Sequence, residues 1–141
     1  VFLLNEYPVS SGASGMITNS VPLLWAYQAL LATHWVGDFV VQTNWQAANK
    51  SKNNRALLHH VLFYTGCLGA TSAVLFFPGM RWLIFIIGNG ALHFATDYWT
   101  SRWSAPLFEK QDLRKFFMVV GFDQLIHQVT LGITLWLVFY R

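Results

Sequence analysis

The sequence predicts an all-α fold, an integral membrane four-helix bundle with both termini on the non-cytoplasmic side, and three observations predict it. Of the 141 residues, 55% are hydrophobic and only 11% are charged, against roughly 25% charged in soluble domains. The apolar residues gather in four runs of about the 20 residues that a helix needs to cross a bilayer. Within three of these runs a His and an Asp stand four residues apart: His34 and Asp38, His93 and Asp97, and, in reversed order, Asp123 and His127.

The elements follow in order. Residues 1–20 form an N-terminal segment of Gly, Ser, Asn and Pro with no basic start, which does not read as a signal peptide and is expected on the extracytoplasmic side. Residues 21–141 form the membrane domain. Its first span is expected over 21–42, with Ser20 and Pro22 as helix-start residues. The second is expected over 57–77 and the third over 81–99, joined by a tight Pro78-Gly79 turn into an antiparallel hairpin. The fourth is expected over 117–140. Apart from the shared HxxxD element of spans one and three, there is no internal repeat.

Charge placement sets the orientation. Lys50, Lys52, Arg55, Arg102, Lys110, Arg114 and Lys115 fall in the two loops after spans one and three, and only Arg81 and Arg141 fall on the other side. Positive residues near span ends remain cytoplasmic, so both basic loops are expected there. Trp45, Trp99 and Trp103 then mark the inner interface, and Trp25, Trp82, Trp136 and Tyr140 the outer one. The net charge of +3 is a topology signal and not a nucleic-acid footprint. Cys67 is alone, which excludes an internal disulfide, and it reads as a small core residue.

With this topology the polar residues fall into layers. Spans one and three run inward, so each His lies about one turn above its Asp; span four runs outward and needs the reverse order to match. Residues four apart share a helix face, so each pair points inward together. The columns extend to Gln42 and Asn89. Span two adds His59 and His60, which differ by roughly 100° around the axis; His60, whose column continues to Tyr64, is expected to face the centre.

Each buried Asp costs roughly 2.5 to 3.5 kcal/mol at the middle of a membrane helix, so partners are required. A lone His or Asp in such a run is usually a satisfied interhelical hydrogen bond. Seven at matched depth favour a metal centre built from His34, Asp38, His60, His93, Asp97, Asp123 and His127. The set exceeds the four ligands of a usual zinc site, which implies two ions, or one ion with Asp residues orienting the His ligands. Zinc is the first expectation, with iron or manganese as alternatives. A metal-free hydrogen-bonded or proton-carrying network stays open. Tetrapyrrole ligation ranks below it, because an Asp one turn from each axial His would add needless charge. The glycines of the spans read as helix-contact residues, since none forms a nucleotide loop.

The stretches HWVGDFVVQTNW, ALLHHVLFY, GALHFATDY and GFDQLIHQ together resemble a small polytopic membrane family of bacteria and phages, known as a domain of unknown function. The resemblance covers about Leu23 to Leu137, and the TDYxTSR-like continuation from Thr96 to Arg102 is similar to phage-type members. It implies recurring positions at His34, Asp38, Gln42, His60, His93, Asp97, Asp123, Gln124 and His127. Many bacterial members carry a Lys soon after the second HxxxD, where this chain has Thr100, Ser101 and Arg102. A looser similarity is to membrane-bound metal-dependent hydrolases.

Three functions fit these residues. The first is a metal-dependent membrane hydrolase, with the ion on His34, His60, His93 and His127, Asp38, Asp97 or Asp123 as ligand or general base, and Arg55 and Arg102 on an anionic headgroup. Neither HExxH nor a serine nucleophile elbow accompanies it. The second is a noncatalytic membrane subunit stapled by a metal or His/Asp network, with Gly66 to Ala73 as a helix-contact face. The third is an ion or proton pathway. The expected partners are the lipid bilayer and a homo-oligomer or larger membrane assembly, with no nucleic acid. The expected location is a bacterial inner membrane, or a phage-related or other energy-converting membrane.

Overall fold

Apolar runs give helices here, and Pro22 and Pro78-Gly79 fall at helix boundaries. The computed structural model describes residues 21–141; the N-terminal segment and Ser20 lie outside the described residues. Among the latter the chain is all-helical. Helix α1 (Leu23–Trp35) begins after Pro22 and passes directly into a π-helical turn, Val36–Val40. A short α2 (Asn44–Asn49) follows, then α3 (Asn54–Leu75), α4 (Met80–Glu109) and α5 (Leu113–Leu135), which also ends in a π-turn, Trp136–Tyr140.

The caps explain the boundaries. Thr43 and Gln46 form a capping box at the start of α2, with the Gln46 amide donating to Thr43 Oγ1 at 3.3 Å and the Thr43 amide to Gln46 Oε1 at 2.8 Å. Asn53 Oδ1 accepts from the Arg55 amide at 2.8 Å and starts α3. Pro78 and Gly79 separate α3 from α4, as expected from the sequence. Helix α4 continues ten residues past the expected end of the third span, through Pro106, and α5 starts four residues before the expected fourth. The loop expected between them shrinks to Lys110–Asp112, where Gln111 takes a left-handed φ of 59°. Apolarity marks where a span lies, but the local hydrogen bonds decide where a helix stops.

Helix α1 packs on α3 and α5, α3 on α4, and α4 on α5, so each long helix touches two others. Toward the start of α1 the interior is dry: Ala26, Leu30, Leu68, Phe85, Leu131 and Leu135 are buried together, and Tyr64 closes the layer. Toward the other end the interior is polar, with His34, Asp38, His60, His93, Asp97 and His127 all buried. The outer surface is apolar. Trp25, Phe63, Ile87, Phe117 and Leu125 are among many large side chains more than half exposed. Two helices, Asn54–Leu75 and Leu113–Tyr140 with its π-turn, are long and apolar enough to cross a membrane by length and composition.

The π-turn, which packs on α3, carries the buried Asp38. A Cβ added to Gly37 would lie 3.2 Å from the Tyr64 ring and 3.3 Å from the Tyr64 Cα. A side chain there would need Tyr64 to give by a few tenths of an ångström, so Gly37 permits the close approach next to Asp38. Gly37→Val is therefore expected to destabilise the fold by about 1–3 kcal/mol, as overpacking does. Denaturation of the purified protein measures it, and an unchanged midpoint contradicts the close-approach account.

Candidate metal centre

Each long helix delivers its polar groups to one place. His60 on α3 is fully buried, with its Nε2 3.0 Å from Asp38 Oδ1, 3.2 Å from His93 Nε2 and 3.3 Å from Asp97 Oδ2. His93 Nε2 lies 3.6 Å from Asp38 Oδ1 and 3.8 Å from Asp97 Oδ1. The adjacent His59 is exposed beside Trp45, so the expected choice between the two histidines agrees with the structure. Donor atoms of Asp38, His60, His93 and Asp97 all lie within 4.8 Å of one another, as do those of Asp97, Asp123 and His127.

Asp97 belongs to both groups. Its Oδ1 is 3.1 Å from His127 Nε2, and its Oδ2 faces His60 and accepts from Lys50 Nζ at 2.9 Å. His127 Nε2 also lies 3.5 Å from Asp123 Oδ1, which in turn accepts a short hydrogen bond from the Thr100 hydroxyl. Ring stacking fixes the imidazoles. His93 lies between Tyr64, with centroids 3.8 Å apart, and His127, at 4.1 Å.

His34 stands beside the two groups rather than within either. Its Nε2 is 3.2 Å from Gln124 Oε1 and 3.8 Å from Asp38 Oδ2, while Gln124 Nε2 donates to Asp38 at 2.7 Å and to Asp123 at 3.1 Å. Of the outlying columns, Gln42 turns back to donate to the Asp38 carbonyl at 2.9 Å. Asn89 pairs with Thr134 at 2.9 Å beside the dry layer, away from the carboxylates.

The donor set fits a small divalent cation. Four ligands about 2.0–2.1 Å from a tetrahedral ion stand roughly 3.3 Å from one another, and the distances around His60 are 3.0, 3.2 and 3.3 Å. Two ring nitrogens directed at each other and at two carboxylates also make an awkward hydrogen-bond set. If both carry protons, they repel at 3.2 Å. If one is protonated and the other bare, the two can pair, but the bare nitrogen still turns a lone pair on the Asp38 and Asp97 oxygens. A cation among them removes the conflict.

Lys50 reads from the sequence as a topology residue and not as part of the site. It reaches the centre because the capping box of α2 folds the connection back beneath α1 and α3, and its Nζ also lies 3.9 Å from Asp38 Oδ1. The Thr43-x-x-Gln46 pattern was the available signal. Burial opposes the Lys50 ammonium, and the Asp97 and Asp38 carboxylates more than offset it, raising its pKa above the ordinary lysine value. Arg102 stacks over Tyr98 and donates to Asn54 Oδ1 at 2.7 Å.

Fold and site together define an all-helical protein with a buried His/Asp cluster capable of holding a metal ion. A family model described as "Protein of unknown function (DUF3307)" matches residues 27–140, and the chain belongs to that family. No curated protein and no solved structure matches it.

Removing one partner from a buried charge network strands the others. Asp97→Ala is expected to cost the metal-stripped protein about 3–5 kcal/mol, because Lys50, His60 and His127 lose their shared carboxylate. Denaturant titration measures this, and a loss below about 1 kcal/mol shows that Asp97 does not organise the cluster.

Proposed function

We propose that this chain is a four-span membrane bundle that binds one or two divalent metal ions near the cytoplasmic leaflet, and that the centre serves hydrolysis. Zinc is the first choice of ion, with iron or manganese as alternatives. The observation that carries the proposal is the convergence of His60 Nε2, His93 Nε2 and oxygens of Asp38 and Asp97 at ligand-to-ligand spacing. Asp97, with one oxygen toward His60 and the other toward His127, belongs to both donor groups and would serve as a ligand in either. His34 supports Asp38, directly and through Gln124.

The burial pattern supports the membrane. Among the described residues, eleven buried side chains are polar or charged against ten hydrophobic ones, while many large apolar residues are exposed; large exposed apolar patches mark contact with a membrane or a partner. Helices α3 and α5 meet the length and composition of spans. In this reading α1 with its π-turn and the first part of α4 supply the other two, both basic loops face the cytoplasm, and both termini face outward. A bacterial inner membrane or a phage-related membrane is the setting, and self-association is compatible with the exposed apolar faces.

Hydrolysis is preferred to a sealed structural staple because the carboxylates are reachable. Asp38, Asp97 and Asp123 line a cavity of about 680 Å³ that opens to the surface. A divalent ion there would supply Lewis acidity and a water of lowered pKa. Around it, Asp123 holds Thr100 and is placed as a proton acceptor, and Lys50 supplies positive charge for an anionic substrate group. The dry layer around Leu30, Leu68 and Leu131 blocks the other half of the bundle and disfavours an ion or proton path.

Elemental analysis of the purified protein tests the centre. The wild type is expected to carry at least one transition-metal ion per chain, and His93→Ala to lose most of it while remaining helical. Equal background metal in both proteins refutes the centre.

A further inference from the structure

The two donor groups that share Asp97 differ in whether their hydrogen bonds close. In the second group they do. His127 Nε2 is placed to donate to Asp97 Oδ1 at 3.1 Å, the Thr100 hydroxyl donates to Asp123 Oδ1, and Gln124 Nε2 donates to Asp123 Oδ2 at 3.1 Å. Each of these donors meets an acceptor without help from a cation. In the first group they do not close, because His60 Nε2 and His93 Nε2 face each other at 3.2 Å between the same carboxylates. Whichever nitrogen stays bare turns a lone pair on a carboxylate oxygen.

Charge points the same way. The cluster holds the carboxylates of Asp38, Asp97 and Asp123, and among the described residues Lys50 is the one Lys or Arg in an ion pair with any of them. Its ammonium belongs to the site: the side chain is only 20% exposed, and Nζ lies 2.9 Å from Asp97 Oδ2 and 3.9 Å from Asp38 Oδ1. The backbone fixes it there, since the Lys50 amide donates to the Gln46 carbonyl at 2.8 Å at the end of α2. The two charges of a divalent ion and the single charge of Lys50 match the three carboxylates with the imidazoles neutral. A second ion would leave positive charge uncompensated in a largely buried cluster, which is strongly disfavoured.

Resting on the metal-centre reading, we infer that the centre holds a single divalent ion per chain, among Asp38, His60, His93 and Asp97, and that Lys50 is a tethered cation standing in for a second ion. The group of Asp97, Asp123 and His127 stays free of metal. The Asp123 carboxylate, which lines the cavity, is thereby left free to accept a proton beside the ion. Replacing Lys50 by Glu exchanges the ammonium facing Asp97 for a carboxylate, and the charge of the cluster then matches two divalent ions.

The test counts the metal retained by the whole purified chain after saturation with zinc and removal of loosely held ion. Wild type is expected to hold about one zinc per chain and Lys50→Glu about two. Lys52→Glu, the same charge reversal on an exposed lysine, is expected to keep the wild-type count. Asp123→Asn is expected to keep it as well, whereas it would remove a ligand of the second ion from a two-ion centre. Loading the wild type with manganese gives a measurement that needs no variant. An isolated ion shows a resolved hyperfine pattern by electron spin resonance, and a pair of ions sharing Asp97 shows a broad, exchange-coupled signal. About two zinc ions in the wild type, or a coupled manganese signal, overturns the inference and leaves the metal centre standing. A helical Lys50→Glu protein with the wild-type count also overturns it. A wild type that retains no metal overturns the metal-centre reading and this inference together.

Discussion

The charge balance around Asp97 is the constraint on which the structure depends. Its carboxylate is almost completely buried, and it is approached by His60 from α3, His127 from α5 and Lys50 from the connection after α2. Uncompensated, such a charge would lose far more solvation than any helix contact returns. Three long helices, α3, α4 and α5, and the connection after α2 are thus held in one arrangement by a group that none of them could bury alone. Asp38 repeats the logic from the π-turn, sharing His60, His93 and Lys50 with Asp97.

Polar specificity and apolar packing occupy different levels of the interior. The dry layer of Leu30, Leu68, Phe85, Leu131 and Leu135 holds the helices by shape, and Tyr64 joins it to the polar layer by stacking on His93. Close approach matters at that junction, where Gly37 lies against Tyr64. In the proposed membrane setting lipid offers the exposed Leu, Phe and Trp side chains as good an environment as a protein core does. Packing and buried polar contacts are then left to select the fold.

Much of the centre was legible in the sequence because helical periodicity is rigid. A spacing of four places His93 and Asp97 on one face, and reversing the order in α5 brings Asp123 and His127 to the same level. The angle between adjacent residues left room for one of His59 and His60, and the column continuing to Tyr64 pointed to His60. What escaped depended on irregular backbone. The π-turn at Val36–Val40 alters the simple four-residue register of α1, and His34 ends beside Gln124 rather than among the converging donors. Lys50 is eight residues beyond the expected span, and only the fold-back of α2 carries it to Asp97. The long α4 was hidden because hydropathy ends near Trp99 while helical hydrogen bonding continues to Glu109.

The most direct measurement of the proposed centre is X-ray absorption at the edge of the metal found in the purified protein. The structure predicts a first shell of nitrogen and oxygen only, at about 2.0–2.2 Å for zinc, with the outer-shell scattering of at least two imidazoles. His60 and His93 supply those rings, and Cys67 lies in neither group of converging donors. A shell containing sulfur, or one of oxygen alone without imidazole scattering, would contradict the assignment of Asp38, His60, His93 and Asp97 as the metal-binding core.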